Sequence, residues 1–361
     1  MKILIGADIV PTGKTEQLFV DGDIQTLFGD VCELVKNADR TVVNFECALT
    51  TVEKGIKKFG PCFKADPKCA HSLKKLGVTD VMLSNNHVFD FGIQGLRDTM
   101  MNLDQAGLPY TGIGENDTDS RKPYIIEHEK KKIGFINVCE HEYSYALPDR
   151  VGANPFDPFL TMQDIRALRK DVDYVIVLYH GGKENCRYPS PRLRRLCQEM
   201  VLCGADVVVA QHSHCIGCYE KYEGGHIVYG QGNFNFCWEN VPETWDTSLL
   251  IQLEIENQIK IDFIPLITKD NGIDVAKDKE ADEILQAFSQ RNNELQNGKW
   301  LDGWHAFCVS MQEIYKRALQ GLCMPETKEE TAQLFAHYLD CEAHTDVWRE
   351  LFPTWNMSNE K

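Results

Sequence analysis

Side chains of the types that bind metal ions recur in this sequence where predicted strands end. Carboxylate, carboxamide and imidazole groups together suit divalent ions such as Mn, Fe, Zn or Co better than Mg or Ca alone. Two such ions about 3.5–4 Å apart can share a bridging carboxylate and activate a water molecule for hydrolysis. We therefore predict a two-metal site whose six ligands are Asp8, Glu46, Asn86, His180, His212 and His214.

The predicted elements explain how these residues can meet. Short apolar runs rich in β-branched residues alternate with helical patterns over the first two hundred residues, which is typical of an α/β sandwich. The carboxyl ends of parallel strands lie at one edge of a sheet, so residues that follow several strands converge there. The strands that lead into the predicted ligands are 2–8, 41–46, 79–84, 174–179 and 206–210.

The remaining patterns complete the predicted architecture. Further strands are expected at 109–113 and 133–138 and, in an antiparallel part, at 216–222, 226–230, 247–256 and 259–267. Helices are expected at 23–37, 66–76, 92–106, 161–170 and 191–202. After Thr268 the pattern changes to helices at 277–296, 303–320, 327–341 and 343–352. We therefore expect an α/β domain at 1–267 and a helical C-terminal extension at 268–361 that packs on it.

Composition limits the partners and the compartment. The 361 residues carry a net charge of −16, which argues against nucleic acid because phosphate backbones bind clustered Lys and Arg. Fourteen cysteines are scattered along the chain, so we expect mostly buried thiols in a reducing compartment. The N-terminus has no signal-peptide pattern, and no stretch of 18 apolar residues occurs. These features predict a cytoplasmic protein without a membrane segment.

A set of motifs surrounds the predicted ligands in a fixed order. They are Asp8, Asn44-Phe45-Glu46, Ser84-Asn85-Asn86-His87, Asp90-Phe91-Gly92, Tyr179-His180-Gly181-Gly182-Lys183-Glu184, Gly204-Ala205-Asp206, Gln211-His212-Ser213-His214 and Gly230-Gln231-Gly232-Asn233-Phe234. As a set, they resemble the CapA/PgsA capsule-synthesis family of the calcineurin-like metallophosphatases, over about residues 1–240. The resemblance implies a four-layer αββα sandwich, two packed sheets flanked by helices, with a two-metal site at one edge.

The resemblance also implies a role for each ligand. One metal would be held by Asp8 and His214, the other by Asn86, His180 and His212, with Glu46 as the bridge between them. Two departures from the superfamily pattern concern the first metal: Val10 stands where a His is usual, and Glu46 replaces an Asp. Because fewer ligands mean lower affinity, we expect one of the two metals to bind more weakly.

Further residues are assigned to catalysis and to substrate binding. By resemblance, His87 would protonate the leaving group or contact the phosphoryl oxygens, and Glu184 matches an acidic position that we include among the catalytic residues. We expect Asn85 and Arg187 to contact an anionic substrate. Arg187 belongs to a basic stretch from Lys183 to Arg195, which is otherwise interpreted as a solvated helix face.

Three functions are compatible with these patterns. The first is metal-dependent hydrolysis of a phosphate ester or, less directly, of another anionic ester or amide. The second is an accessory protein that keeps the fold and at most one metal while it binds an acidic polymer or a partner, as the absence of the first-motif His suggests. The third is a structural zinc site, because Cys215 and Cys218 form a CxxC pair directly after His214.

Overall fold

A computed structural model describes residues 1–238, 241–322 and 328–353. The strands in these residues are Lys2–Ile9 (β1), Arg40–Phe45 (β2), Ala48–Leu49 (β3), Lys64–Ala65 (β4), Asp80–Met82 (β5), Tyr110–Thr111 (β6), Ile113–Gly114 (β7), Tyr124–His128 (β8), Lys131–Cys139 (β9), Gly152–Ala153 (β10), Tyr174–His180 (β11), Val207–Gln211 (β12), Tyr219–Tyr222 (β13), Gly225–Tyr229 (β14), Asn233–Asn235 (β15), Thr247–Ile255 (β16), Ile259–Lys269 (β17) and Gly272–Val275 (β18). The α-helices are Glu16–Asp21 (α1), Ile24–Phe28 (α2), Val31–Lys36 (α3), Cys69–Leu76 (α4), Gly92–Ala106 (α5), Asp117–Ser120 (α6), Pro158–Leu168 (α7), Pro191–Leu202 (α8), Asp278–Asn297 (α9), Trp300–Leu322 (α10), Glu329–Asp340 (α11) and Glu342–Leu351 (α12).

Two sheets face each other across a buried apolar layer. The first has the order β18-β17-β16-β1-β2-β5-β6, with β15 also paired to β1, and the second has the order β13-β14-β12-β11-β9-β8. Ile5 and Val42 of the first sheet share this layer with Ile176 and Val209 of the second. Helices α1 to α5 pack on the outside of the first sheet, and α7, α8 and the C-terminal helices pack on the outside of the second. The predicted four-layer αββα sandwich is therefore confirmed.

Parallel pairing at the centre of each sheet brings the ends of its strands together. Asp8 of β1 lies beside Asn44 of β2, and His180 of β11 lies beside Gln211 of β12. These strands read as continuous apolar runs because both of their faces are buried. The sequence rule that strand ends converge thus holds in both sheets.

Local signals fix the helices that follow these strands. Ser190 accepts a hydrogen bond from the Leu193 backbone N–H at 3.0 Å, and Pro191 occupies the first turn of α8. Asp157 and Pro158 play the same parts at the start of α7. Such caps satisfy N–H groups that the first helical turn leaves without partners. Both helices were predicted from sequence, within three residues of their observed bounds.

The predicted helix at 23–37 is wrong in one respect, because it is two helices, α2 and α3. Gly29 separates them with φ +46°, a left-handed conformation that favours glycine. A Cβ at this position would come within 2.4 Å of the Asp274 carboxylate, which accepts a hydrogen bond from the Asp30 backbone N–H at 2.8 Å. The break is imposed by β18, a strand distant in sequence, so the local helical pattern did not reveal it.

The region after the last site motif differs from expectation in its pairing. The segment at 226–230 was expected in an antiparallel part, but β14 pairs in parallel with β12 and its other neighbour, β13, is antiparallel. The first sheet also continues beyond residue 267, since β17 ends at Lys269 and β18 pairs with it. The C-terminal helices begin at Asp278, and Thr327, the expected start of one of them, lies outside the described residues.

Within the described part of the chain, no helix is both long and apolar enough to cross a membrane.

Candidate metal centre

Three predicted ligand atoms lie around the Nε2 atom of His180, which is itself a predicted ligand. Asn86 Oδ1 lies 2.9 Å from it, His212 Nδ1 lies 3.2 Å from it, and Glu46 Oε1 lies 3.3 Å from it. Ligand atoms held at about 2.0–2.2 Å from one ion are themselves about 3 Å apart. These four side chains are therefore spaced as the ligands of a single metal ion.

The other two predicted ligands, Asp8 and His214, lie beside Glu46 and close to each other. Asp8 accepts a hydrogen bond from Asn44 at 2.7 Å, and its second carboxylate oxygen lies 3.4 Å from His214 Nδ1. Glu46 forms a compact group with His212 and His214 and another with Asp8 and His180, each with ligand atoms within 4.8 Å of one another. The structure thus brings all six predicted ligands together. We call Asp8, Glu46, Asn86, His180, His212 and His214 the sandwich cluster.

The carboxylate of Glu46 is the central feature of this cluster. Both of its oxygens are buried, and neither accepts a hydrogen bond from any described residue. Burial raises the pKa of Glu46 well above its usual value, and the neighbouring charge of Asp8 raises it further. A buried carboxylate without partners is costly for a folded protein. A cation between Glu46 and its neighbours would remove that cost.

The pKa shifts of the three histidines describe how charge is balanced in this cluster without a metal ion. Burial lowers the pKa of His180 and of His212, which keeps these rings neutral and leaves a lone pair for a metal. Burial also disfavours the charged form of His214, but its bond to Asp8 and the charge of Glu46 outweigh this and raise its pKa to about 9. In this state a proton on His214 balances the carboxylates. A divalent ion would take over that role.

The backbone at the two neighbouring histidines is unusual. The alternation of His212 and His214 in the sequence predicts an extended segment with both side chains on one face, and this prediction is wrong because their φ angles are +85° and +53°. Side chains other than glycine rarely adopt this left-handed region, and such conformations cluster at functional sites. The Asn185 backbone N–H donates to the Ser213 carbonyl at 2.8 Å and helps to hold the turn. Both rings reach the cluster through this turn rather than by strand alternation.

His87 stands beside the cluster with one ring nitrogen fixed. Its Nδ1 lies 2.6 Å from the Asp90 carboxylate, and Lys58 Nζ lies 2.5 Å from the other oxygen of that carboxylate. Burial lowers the pKa of His87, and the positive charge of Lys58 lowers it further. With Nδ1 occupied by Asp90, a proton exchanged in a reaction would reside on Nε2. His87 itself lines the cavity next to Asn86.

A cavity of about 340 Å³ opens over this edge of the sandwich. Asn86, His87 and Glu184 line one side of it, and Lys58 and Lys183 contribute positive charge. The opposite wall comes from the C-terminal helices, with Met311, Ile314, His337, Tyr338 and His344. No local sequence pattern links those helices to the ligands, so their contribution to this cavity could not be predicted. A separate cavity of about 370 Å³ beside Trp245 contains none of the predicted ligands.

Two predicted substrate residues do not line this cavity. Both ends of the Asn85 amide are used inside the protein: its nitrogen donates to Asn44 and to the Phe45 carbonyl, and its oxygen accepts from the backbone N–H groups of His87 and Val88. Asn85 therefore shapes the loop that carries Asn86. Arg187 is exposed and lines a different cavity, of about 210 Å³.

Glu142 is a site residue that sequence analysis missed. One of its carboxylate oxygens lies 3.4 Å from His212 Nε2, and the other lies 3.2 Å from His337 Nε2. A signal was present, because β9 pairs with β11 so that Cys139 lies beside His180. The predicted strand ended at residue 138, and the acidic residues after it were not considered. The rule that strand ends carry ligands applies to β9 as well.

The CxxC pair lies apart from the candidate metal ligands. The groups of metal-ligating side chains found in the described residues contain neither Cys215 nor Cys218. Both thiols are buried, and Cys218 donates to the Arg187 carbonyl. The thirteen cysteines within the described ranges are all free thiols. The structure therefore gives no support to the zinc alternative at this pair.

The fold and the residues at the carboxyl ends of its strands define a class of protein: a four-layer α/β sandwich in which carboxylates, histidines and an Asn lie together at the strand ends. A family model described as "Bacterial capsule synthesis protein PGA_cap" matches residues 2–237. The chain belongs to this family, and the resemblance stated from the motifs is confirmed. All of the sandwich cluster lies within the matched residues. Strands β16 to β18 and the C-terminal helices lie beyond them.

Individual relatives agree with this assignment. The chain is 28% identical over 252 residues to "Capsule biosynthesis protein CapA" of Bacillus anthracis, covering 66% of this chain and 61% of that protein. It is 28% identical over 237 residues to "PGA biosynthesis protein CapA" of Bacillus subtilis, covering 63% and 61%. The chain thus spans about three fifths of the length of these curated relatives. A solved structure, a hypothetical protein from Thermus thermophilus, is similar with 14% identity and TM-score 0.49, covering 74% of this chain and 100% of that one.

Proposed function

We propose that this protein is a metal-dependent phosphoesterase whose metal ions are held by the sandwich cluster. The observation that supports this most is the carboxylate of Glu46, which is buried without a hydrogen bond from the described residues in the middle of five other ligand side chains. A structural carboxylate would have hydrogen-bond donors around it. A carboxylate that bridges two cations needs none.

The donor set fits two ions of unequal affinity. Asn86, His180, His212 and Glu46 would hold one ion, and Asp8, His214 and Glu46 would hold the other. Mixed nitrogen and oxygen donors suit Mn, Fe, Co or Zn. When bound, such ions polarise phosphoryl oxygens and lower the pKa of the attacking water. The second set is smaller, because the buried Val10 occupies the position where the superfamily usually has a His.

The protein's own residues supply the remaining parts of the reaction. Asp90 holds His87 by Nδ1, so Nε2 would pass a proton to the leaving group of a substrate in the cavity when the ring is doubly protonated, and Asp90 would stabilise that protonated form. Lys58 and Lys183 line the same cavity and would attract the anionic substrate. Glu184 also lines it, and we keep it among the catalytic candidates.

The substrate class follows from charge and size. A cavity of about 340 Å³ accommodates a small molecule or one unit of a polymer chain rather than a folded partner. The two lysines favour an anion, and relatives named for capsule or PGA biosynthesis make an acidic polymer or its phosphorylated precursor the first substrates to examine.

The test is an assay of protein loaded with Mn or Zn on a panel of aryl phosphates and phosphodiesters. We expect turnover that falls by about 10³-fold in His212→Ala and Asn86→Ala, since metal charge supplies several kcal/mol of transition-state stabilisation. The exposed His71, changed to Ala, is the matched control and should keep wild-type turnover. Activity that survives both cluster substitutions would exclude this site.

A second function, binding of an anionic polymer without turnover, is favoured by the buried Val10 at the first motif. This accessory role requires at most one metal ion in the sandwich cluster. Metal analysis after saturation with Mn or Zn, with His212→Ala and His214→Ala measured alongside to count the ions bound at this cluster, separates the two proposals. Two equivalents at the sandwich cluster with turnover support the phosphoesterase, and one or none there without turnover supports the accessory protein.

A further inference from the structure

A second group of metal-ligating side chains lies where the C-terminal helices meet the sandwich. Glu142, Cys341 and His344 are all buried, and a ligand atom from each lies within 4.8 Å of those from the other two. We propose that these three residues, which we call the helix cluster, bind a divalent cation of the zinc type. Cys341 and His344 lie beyond the residues that the family model matches, so the family assignment does not account for this site.

The elements bring these side chains together from distant parts of the chain. Glu142 follows β9, while Cys341 is the residue between α11 and α12 and His344 lies in the first turn of α12. Three residues apart at the start of a helix, Cys341 and His344 face the same side. The cluster therefore exists only when the C-terminal helices are packed on the sandwich.

The histidine of this cluster is oriented as a metal ligand. His344 Nδ1 and the Tyr315 hydroxyl lie 2.5 Å apart, and the Tyr338 ring stacks on His344 with centroids 4.3 Å apart. Metal-binding histidines commonly use their second nitrogen in such a contact, which fixes the ring and directs the other nitrogen to the ion. Here that arrangement leaves Nε2 of His344 to bind the cation.

The chemistry of the donors selects the cation. A thiolate, an imidazole and a carboxylate form a set that zinc accepts, and three protein ligands leave its fourth position open. Glu142 and His344 both line the cavity of about 340 Å³, so that position can face the cavity. A water molecule or an anionic oxygen of a bound molecule would complete the coordination. On binding, the Cys341 thiol loses its proton to solvent.

The contacts of Cys341 without a cation are weak. Its Sγ lies 3.9 Å from a carboxylate oxygen of Glu140, a long contact even for sulfur. Glu140 already accepts hydrogen bonds from Arg192 and Tyr179, both at 2.6 Å, so it does not depend on the thiol. Cys341 is therefore available to a metal ion without the loss of a strong interaction.

Cobalt binding distinguishes the helix cluster from the sandwich cluster. Thiolate bound to Co²⁺ gives a charge-transfer band in the near ultraviolet, and the sandwich cluster contains no sulfur. Titration of the metal-free full chain with Co²⁺ should produce this band and bind one equivalent more than Cys341→Ser does. The band should vanish in Cys341→Ser and weaken strongly in His344→Ala. Cys32→Ser, which changes a cysteine outside the metal-ligating groups of the described residues, should keep it.

The cobalt titration tests the helix cluster separately from the proposed phosphoesterase activity. His214→Ala should lose phosphoesterase activity and keep the cobalt–thiolate band, whereas Cys341→Ser should lose the band. X-ray absorption of the zinc-loaded wild-type chain, averaged over all bound zinc, should show a sulfur contribution at about 2.3 Å that Cys341→Ser lacks. Absence of the band and of the sulfur neighbour in the wild type would overturn the proposal. So would a band that Cys341→Ser leaves unchanged.

Discussion

The sandwich cluster and the helix cluster are two groups of buried ligand residues that meet at one cavity, yet they depend on different kinds of structure. The first is built from strand ends, where parallel registers such as Asp8 beside Asn44 fix the positions of the side chains. The second requires α11 and α12 to pack against the residues after β9. Glu142 contacts both, through His212 of the first and as a ligand of the second.

This difference shows which sites a sequence can reveal. A strand end is a local feature, and the geometry of a parallel sheet brings several of them to one edge. A helix–helix junction has no such rule, because its position depends on packing between residues far apart in the chain. The two clusters should therefore respond differently to mutation.

The largest effect is expected from Glu46→Gln, which keeps the size of the side chain and removes its charge. Phosphoesterase activity should fall by about 10³-fold, because the bridging carboxylate is lost. Without metal at pH 7 the same variant should be more stable than wild type, by about 1–3 kcal/mol. The pKa of Glu46 is higher in the folded protein than in the unfolded chain. At pH values above the unfolded pKa, the ionised carboxylate therefore lowers the stability of the metal-free protein. Chemical denaturation in EDTA measures this.

Glu33→Gln is the matched control, since Glu33 lies on the surface and pairs with Lys36 in the same helix. It should change neither activity nor stability by more than a few tenths of a kcal/mol. A loss of stability in Glu46→Gln in EDTA would contradict this prediction, because it would mean that other groups of the protein stabilise the buried carboxylate. Added Mn should stabilise the wild type and have little effect on Glu46→Gln.

The sandwich cluster could be predicted from the sequence because its residues depend on strand ends. All six lie at or shortly after the ends of strands that were predicted within two residues of their observed ends, and the structure brings them together. Glu142 was missed only because the strand before it was ended early. Lys58 and His344 gave no signal, since their approach to the cavity depends on loop and helix packing. The left-handed backbone of His212 and His214 also escaped a rule based on strand alternation.

A smaller effect is expected from Asp346→Ala, which weakens the attachment of α12. The Asp346 carboxylate accepts hydrogen bonds from Ser190 at 2.5 Å and from Arg192 at 2.8 Å, and it is almost fully buried. Its removal should lower the free energy of unfolding by about 1–3 kcal/mol. Arg192 keeps its bond to Glu140, which limits the loss. Urea denaturation of the metal-free protein measures the change.

Asp346→Ala should affect the two clusters unequally, and added cobalt allows this to be measured. Loosened docking should reduce the cobalt–thiolate band of the helix cluster more than it reduces phosphoesterase activity. Asp302→Ala removes an exposed carboxylate from α10 and serves as the control, with no expected change in either readout. Equal losses of band and activity would mean that the two clusters are not separate units.

The smallest effect concerns the pH dependence of the attachment of α9. The Tyr188 hydroxyl donates to Glu294 at 2.5 Å, and this bond and one from Gln290 lower the pKa of Glu294. A lowered folded pKa gives stability that is present above the unfolded value of about 4.3 and is lost as the pH falls through the folded pKa. The stability advantage of wild type over Glu294→Gln should therefore decrease as the pH falls below the unfolded value and vanish once the pH is below the lowered pKa of Glu294.

Since Glu294 lies at the surface, this advantage should amount to only a few tenths of a kcal/mol at pH 7. Denaturation curves at pH 7 and at pH 3 test it. Glu283→Gln, on the same helix but paired with Lys279 rather than a tyrosine, should show no comparable change with pH. A difference between wild type and Glu294→Gln that grows at low pH would contradict the assignment.

Anomalous X-ray scattering from crystals of the protein soaked with Mn tests most directly whether the sandwich cluster binds metal ions. We expect a strong peak about 2.0–2.3 Å from the ligand atoms of Asn86, His180 and His212, with Glu46 among its ligands. A second, weaker peak is expected between Glu46, Asp8 and His214. Crystals that bind Mn elsewhere and show no peak within the sandwich cluster would contradict this prediction.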